Sequence, residues 1–108
     1  MVIKREKTTV KELGNGMSRR VLNRGGRLML VEFTFTKGGI GAIHSHPHEQ
    51  IGYVVAGSGV FTIDGKDTKV KKGDSMYIPP NTPHGFKSHE DNTVMADVFT
   101  PQREDFLE

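Results

Sequence analysis

Apolar and polar positions alternate in short runs along this chain, and no apolar stripe recurs with helical spacing over a useful length. Residues 28–36 (LMLVEFTFT) place Met29, Val31, Phe33 and Phe35 on one face of a strand. Further runs at 51–56, 60–64, 68–71, 75–78, 85–87 and 93–100, rich in Val, Ile, Phe and Thr, also read as strands. Along 93–100 (TVMADVFT), Val94, Ala96 and Val98 share one face, and Met95, Asp97 and Phe99 share the other. Asp64-Gly65 between two such runs signals a tight hairpin, and Gly57-Ser58-Gly59 a second turn. Many short strands at regular spacing predict an all-β sandwich or barrel. No linker, repeat or low-complexity stretch divides residues 1–108, which implies a single domain. The tail, residues 100–108, predicts one helical turn with Thr100 as cap and Pro101 at its first position.

Composition narrows the function classes. The chain has no cysteine, so disulfides and thiolate metal sites are excluded. The opening residues, MVIKREKTTV, lack the apolar centre of a signal peptide, and the longest apolar run, Leu28-Met29-Leu30-Val31, is far too short to span a membrane. The expectation is a cytoplasmic protein without a membrane partner. Fifteen Lys and Arg against thirteen Asp and Glu is a mild excess, without the basic cluster and interleaved aromatics that nucleic acid requires. The balance is compatible with an anionic small molecule. Lys69-Val70-Lys71-Lys72 reads as a solvated hairpin edge that discourages strand pairing.

The chemistry concentrates in AIHSHPHEQIGYVVAG, residues 42–57, which holds three of the five histidines. In a strand, His44 and His46 share a face. A straight strand would carry Gln50 roughly 20 Å from His44, too far for one ion. Pro47 cannot donate to a ladder, so the chain is expected to turn at Pro47-His48-Glu49 and bring Gln50 back beside His46, with His48 pointing to solvent. A further ligand is sought in GDSMYIPPNTPHGF, residues 73–86, where His84 follows Pro83. His89, in a charged stretch, reads as a solvated loop residue.

These two stretches resemble the paired motifs of the cupin superfamily. Gly38, His44, His46, Gln50 and Gly57 match the first motif (38–57) in every spacing, with Gln where Glu is usual. Gly73, Pro79 and His84 match the second (73–88), with Asn81 in place of Gly and Ser88 in place of Asn. Asn81 tolerates the left-handed turn that Gly would make, and Ser88 touches only the last strand contact. The resemblance implies a double-stranded β-helix, or jelly-roll-like, barrel. It also implies a divalent metal inside (nickel, zinc, manganese or iron) on His44, His46, Gln50 and His84, and often a dimer that exchanges terminal strands. Val2-Ile3 and residues 8–13 are the strands expected to join a partner's sheet in a homodimer.

Gln50 changes the electrostatics. Three neutral imidazoles and an amide oxygen leave the ion's charge uncompensated, which favours a carboxylate-bearing ligand. Asp97 on an inward face is a candidate general acid/base, Phe99 an apolar wall, and Arg103 a bidentate carboxylate clamp. The bland alternative for Asp97 and Arg103 is an ion pair closing the barrel. Phe33, Phe35 and Phe61 read as core, and Tyr53 and Tyr77 as rim or core. With Gln50, the run DVFTPQRED is similar to the KdgF-type pectin-degradation cupins, in which an Asp, an aromatic two residues on and an Arg six residues on line the site. That resemblance implies an isomerase that opens the ring of 4,5-unsaturated monouronates, small anionic sugars from pectin or alginate. The competing classes are an iron cupin dioxygenase and a non-enzymatic ligand-binding cupin; a sensor cupin usually carries a DNA-binding domain, for which 108 residues leave no room.

Overall fold

A computed structural model describes residues 1–107. Among the described residues ten strands run in chain order: β1 (Val10–Gly14), β2 (Met17–Gly25), β3 (Leu28–Phe35), β4 (Ile40–His44), β5 (Glu49–Ala56), β6 (Ser58–Ile63), β7 (Lys66–Lys71), β8 (Ser75–Ile78), β9 (His84–Ser88) and β10 (Thr93–Thr100). They form two antiparallel sheets, β1-β2-β3-β10-β5-β8 and β4-β9-β6-β7, which face each other as a small barrel. Among the described residues no helix is long and apolar enough to cross a membrane.

The alternation read along 28–36 and 93–100 sets the interior. Met29, Val31, Phe33 and Phe35 are buried on β3, and Met95, Asp97 and Phe99 are buried on β10. The two strands pair in register, Met95 opposite Phe33 and Phe99 opposite Met29, so their inward side chains stack as cross-strand neighbours. Phe61 and Phe86 close the core from the smaller sheet, with Phe86 edge-on to Phe35 at 5.0 Å between centroids. The Asp64-Gly65 hairpin forms with both residues at positive φ, as a two-residue turn of the right-handed twist requires. β7 is an edge strand with Lys66, Lys69 and Lys71 exposed. Asn81 is left-handed at φ 59°. Ser88 is buried, its hydroxyl donating to Glu90 O at 2.7 Å.

The structure departs from the sequence reading in several places. β2 was not visible in the pattern, because Arg19, Arg20, Asn23 and Arg24 interrupt its apolar positions. β1 was expected to need a partner's sheet; it pairs instead with β2 of its own chain, Val10 opposite Arg20. Positive φ at Gly14, Asn15 and Gly16 makes the hairpin tight enough for that return. The tail turns three residues later than predicted. Thr100 stays extended opposite Glu49 on β5. Gln102 donates to Gly26 O at 2.8 Å and accepts from Arg24 at 3.1 Å. Only then does a 3₁₀ turn form over Glu104–Leu107; Glu108, included in the expected turn, lies outside the described residues. Tyr53 and Tyr77 are neither rim nor core: they stand 48% and 49% exposed on the outer face of the larger sheet.

Gly57 alone links β5 of one sheet to β6 of the other. Its φ is +85°, and a Cβ there would lie 2.2 Å from Thr93 Oγ1 and 2.6 Å from Thr93 Cα. Gly26 shares the left-handed backbone (φ +53°) but faces open space. Urea unfolding is therefore expected to show Gly26→Ala losing about 1–2 kcal/mol from backbone strain alone. Gly57→Ala should lose about 2–5 kcal/mol, since overpacking against Thr93 adds to the same strain.

Candidate metal centre

Three separate elements bring the histidines together. His44 ends β4 and lies opposite His84, which starts β9. His46 follows in an irregular segment, and a bend at Pro47-His48 turns the chain into β5, on which Gln50 is the second residue. His44 and His46 are thus not neighbours on one strand face, as their spacing suggested. The pairing of β4 with β9 shifts register between Gly41 and His44, and the ladder stops there. The rings still converge: centroids are 4.5 Å apart for His44–His84, 4.9 Å for His46–His84 and 5.5 Å for His44–His46. Their ligating nitrogens lie within 4.8 Å of one another.

Backbone carbonyls decide which nitrogen of each ring is free. His44 Nδ1 lies 2.9 Å from Ala42 O, His46 Nδ1 3.1 Å from His48 O, and His84 Nδ1 2.8 Å from Thr82 O. A carbonyl only accepts, so each Nδ1 carries the proton and each Nε2 presents its lone pair. Burial, the nearby charge of Arg103 and the neighbouring His84 push the His46 pKa down to about 4, against a weaker opposing pull from Gln50. Burial likewise lowers that of His84. Both rings are neutral at pH 7, the form a metal requires.

Gln50 completes the arrangement. Its Oε1 lies 3.0 Å from His46 Nε2, and with Nδ1 protonated both atoms are acceptors. Two lone pairs facing at that distance call for a cation between them. The donor chemistry therefore fits a divalent ion held by His44, His46 and His84, with Gln50 Oε1 at its side.

Beside the cluster lies a cavity of about 260 Å³, lined by His44, Gln50, His84, Asp97, Phe99 and Arg103 among others. Asp97 is 4% exposed, and its Oδ1 has no hydrogen-bond partner. Burial raises its pKa to about 7, although the Gln50 side chain draws it partly back. Room for this carboxylate comes from Gly52, directly across on β5: a Cβ there would lie 2.6 Å from Asp97 Oδ1. Arg103 is 8% exposed and does not pair with Asp97. Its Nε and Nη2 bond the Asp105 carboxylate at 3.1 and 2.9 Å, and its Cζ lies 4.2 Å from the Phe106 ring centroid and 5.2 Å from that of Phe99. Asp105 thus takes one of the two forked edges of the guanidinium, the one made by Nε and Nη2.

The family model for the cupin domain (Cupin_2) matches residues 31–99. The chain belongs to the cupin family. It is 41% identical over 103 residues to the pectin degradation protein KdgF of Dickeya dadantii, covering 94% of each chain. The solved structure of KdgF from Halomonas sp. aligns with a TM-score of 0.92 at 29% identity, over 98% of this chain and 97% of that one. An RmlC-like cupin from Shewanella frigidimarina aligns with a TM-score of 0.90 at 35% identity, over 97% and 94%. Histidine cluster and cupin family together point to a divalent metal site.

In this cupin His48 is half-buried rather than solvated. Its ring centroid lies 5.4 Å from that of His46, and its Nδ1 is buried without a partner. It stands outside the ligand cluster, which among the described residues comprises His44, His46 and His84. His89 is exposed in its loop. The sequence reading passed over Arg19, which lines the cavity, and Gly52, which makes room for Asp97. The signal for Arg19 was parity: Met17, Arg19 and Val21 alternate with Ser18 and Arg20, a pattern that carries meaning only once β2 is recognised as a strand.

Calorimetric titration of chelator-treated protein with a divalent transition metal is expected to saturate at one ion per chain. His84→Ala should remove that binding. Saturating metal should raise Tm, since a ligand at a hundred times its Kd adds about 2.7 kcal/mol to stability. An unchanged titration in His84→Ala would place the ion elsewhere.

Proposed function

We propose that this cupin is a metal-dependent isomerase that opens the ring of 4,5-unsaturated monouronates to the linear keto form. The observation that carries the reading is the buried Asp97 carboxylate, whose unpartnered Oδ1 lies in the same cavity as the histidine cluster. An uncompensated buried carboxylate is costly unless it is used. The 41% identity to a pectin degradation protein supports the substrate class.

The reaction needs no redox partner. The anomeric hydroxyl gives up its proton, the bond from C1 to the ring oxygen breaks, and C4 gains a proton as C5 becomes a ketone. Composition is unchanged. A divalent ion held by His44, His46, His84 and Gln50 would supply Lewis acidity toward the sugar's oxygens. Asp97 is the residue proposed to carry the proton. Phe99 forms the apolar wall beside it, and Arg103, tied to Asp105, adds positive charge through its uncommitted Nη1.

Asp97→Asn is expected to keep the fold and the metal while losing about 10²–10⁴-fold in turnover, because Asn is nearly isosteric but cannot exchange a proton. Loss of alkene absorbance from a 4,5-unsaturated galacturonate monomer reads the rate, with metal content measured on the same samples. Full activity in metal-loaded Asp97→Asn would return Asp97 to a structural role and remove the main support for this reading.

Assembly as a homodimer belongs to the same proposal. Val98, Ile51 and Tyr77 lie side by side across β10, β5 and β8, and with Tyr53 and Val55 they leave a continuous apolar face exposed. A second copy of the chain is the occupant proposed for it, because a two-fold axis lets one patch cover itself. Light scattering at tens of micromolar, an order of magnitude above a micromolar Kd, is expected to give the dimer mass and Ile51→Glu the monomer mass. A wild-type monomer under those conditions contradicts the assembly.

A further inference from the structure

The barrel's inner wall carries a second guanidinium that the proposed reaction does not use. Arg19 on β2 lies directly opposite Phe33 on β3, with Met17 opposite Phe35 and Val21 opposite Val31. Opposed residues of an antiparallel pair share a face, and Phe33, Phe35 and Val31 are all buried. Arg19 therefore points inward, between two apolar neighbours. Its side chain lines the cavity that also holds His44, Gln50, Asp97 and Arg103.

The corner has a surplus of positive charge. The Cζ of Arg19 lies 3.9 Å from the Phe106 ring centroid, and that of Arg103 4.2 Å from the same centroid. Two guanidinium groups thus share one aromatic ring. A single carboxylate, Asp105, serves the pair, and both of its oxygens are bonded to Arg103. Among the described residues the ion pairs are Arg103–Asp105 and Arg5–Glu32, neither of which involves Arg19. The aromatic ring attracts the cation and holds it in place, but offers no acceptor for its N–H groups. The neighbouring metal donors are imidazoles and an amide, none of which carries negative charge, so they do not offset it.

We propose that Arg19 is the anion-recognising residue of this cavity, its uncommitted N–H groups taking the carboxylate of the ligand. The inference rests on the uronate reading for the class of ligand. The stack on Phe106 pre-organises the guanidinium, which reduces the ordering cost of binding. Arg103, whose Nε/Nη2 edge is held by Asp105, adds field rather than the primary clamp.

The test is binding, measured by calorimetry on protein loaded with one divalent ion per chain. The probes are saturated D-galacturonate and its methyl ester, which share a ring and differ in charge. Wild type is expected to prefer the acid. Arg19→Gln should weaken binding of the acid about 10- to 100-fold, the worth of hydrogen bonds to a charged group, and leave the ester unchanged. Arg19→Lys, which keeps the charge but not the fork, should fall between. Equal affinity of Arg19→Gln and wild type for the acid overturns the inference alone. So does an equal loss on acid and ester, which would mark Arg19 as only a prop for Phe106. Wild type that binds neither probe overturns the uronate reading and this inference with it.

Discussion

Each histidine of the cluster is held by a backbone carbonyl two residues away along the chain: Ala42 for His44, His48 for His46, Thr82 for His84. Those three bonds fix the tautomer, and the tautomer aims three Nε2 lone pairs at one small volume. The rest of the site depends on this constraint. Were the rings free to turn, Gln50 Oε1 would not face a second acceptor at 3.0 Å, and nothing in the cavity would call for a cation. The carbonyls stand where they do because the ladder is broken there. His44 ends β4, and His46 lies in the irregular segment just before the bend at Pro47-His48.

Around that centre the interior divides by chemistry. The small sheet and β3 supply aromatic and aliphatic packing, with Phe86 edge-on to Phe35 and Phe61 beside Phe86 and His84. The opposite wall supplies charge: Asp97 on β10, and Arg19 and Arg103 brought together by the Phe106 ring. Each charged group has its own structural provision. Gly52 leaves the volume that Asp97 fills. Asp105 neutralises Arg103, which in turn holds the Asp105 carboxyl below its usual range. The tail reaches this position because Gln102 fastens it to the β2–β3 hairpin. A chain of this size encloses few residues, so core positions such as Met29 and Val31 share the large sheet's inner face with the site residues Gln50 and Asp97.

Much of this was legible from local pattern. The alternation in residues 28–36 and 93–100 predicted which face of β3 and β10 would be buried, because strand parity is a property of the backbone and needs no partner. Asp64-Gly65 and Asn81 adopt left-handed geometry for the same local reason. The turn at Pro47 was readable from the missing donor of proline. β2 was not legible, since its inward residues are Met17, Arg19 and Val21, and an arginine on the inner face defeats a reading based on hydrophobicity. His48, between Pro47 and Glu49 in a bend, looks solvated along the chain, and only the fold sets its ring 5.4 Å from that of His46.

Charge partnership lay mostly beyond local pattern, Arg103–Asp105 being the pair that is close along the chain. The spacing of Asp97, Phe99 and Arg103 along the chain was visible, but a carboxylate's partner depends on distances across strands and around the tail. Arg103 found Asp105 two residues away, Asp97 found the space left by Gly52, and Arg19 entered a cavity assembled from both sheets. Periodicity and turn chemistry are set by neighbours along the backbone, so they can be read directly from the order of residues. Which ionic groups end up paired, and which are left facing an open cavity, follows from how the sheets close on one another, because electrostatic energy depends on separation in space and on burial.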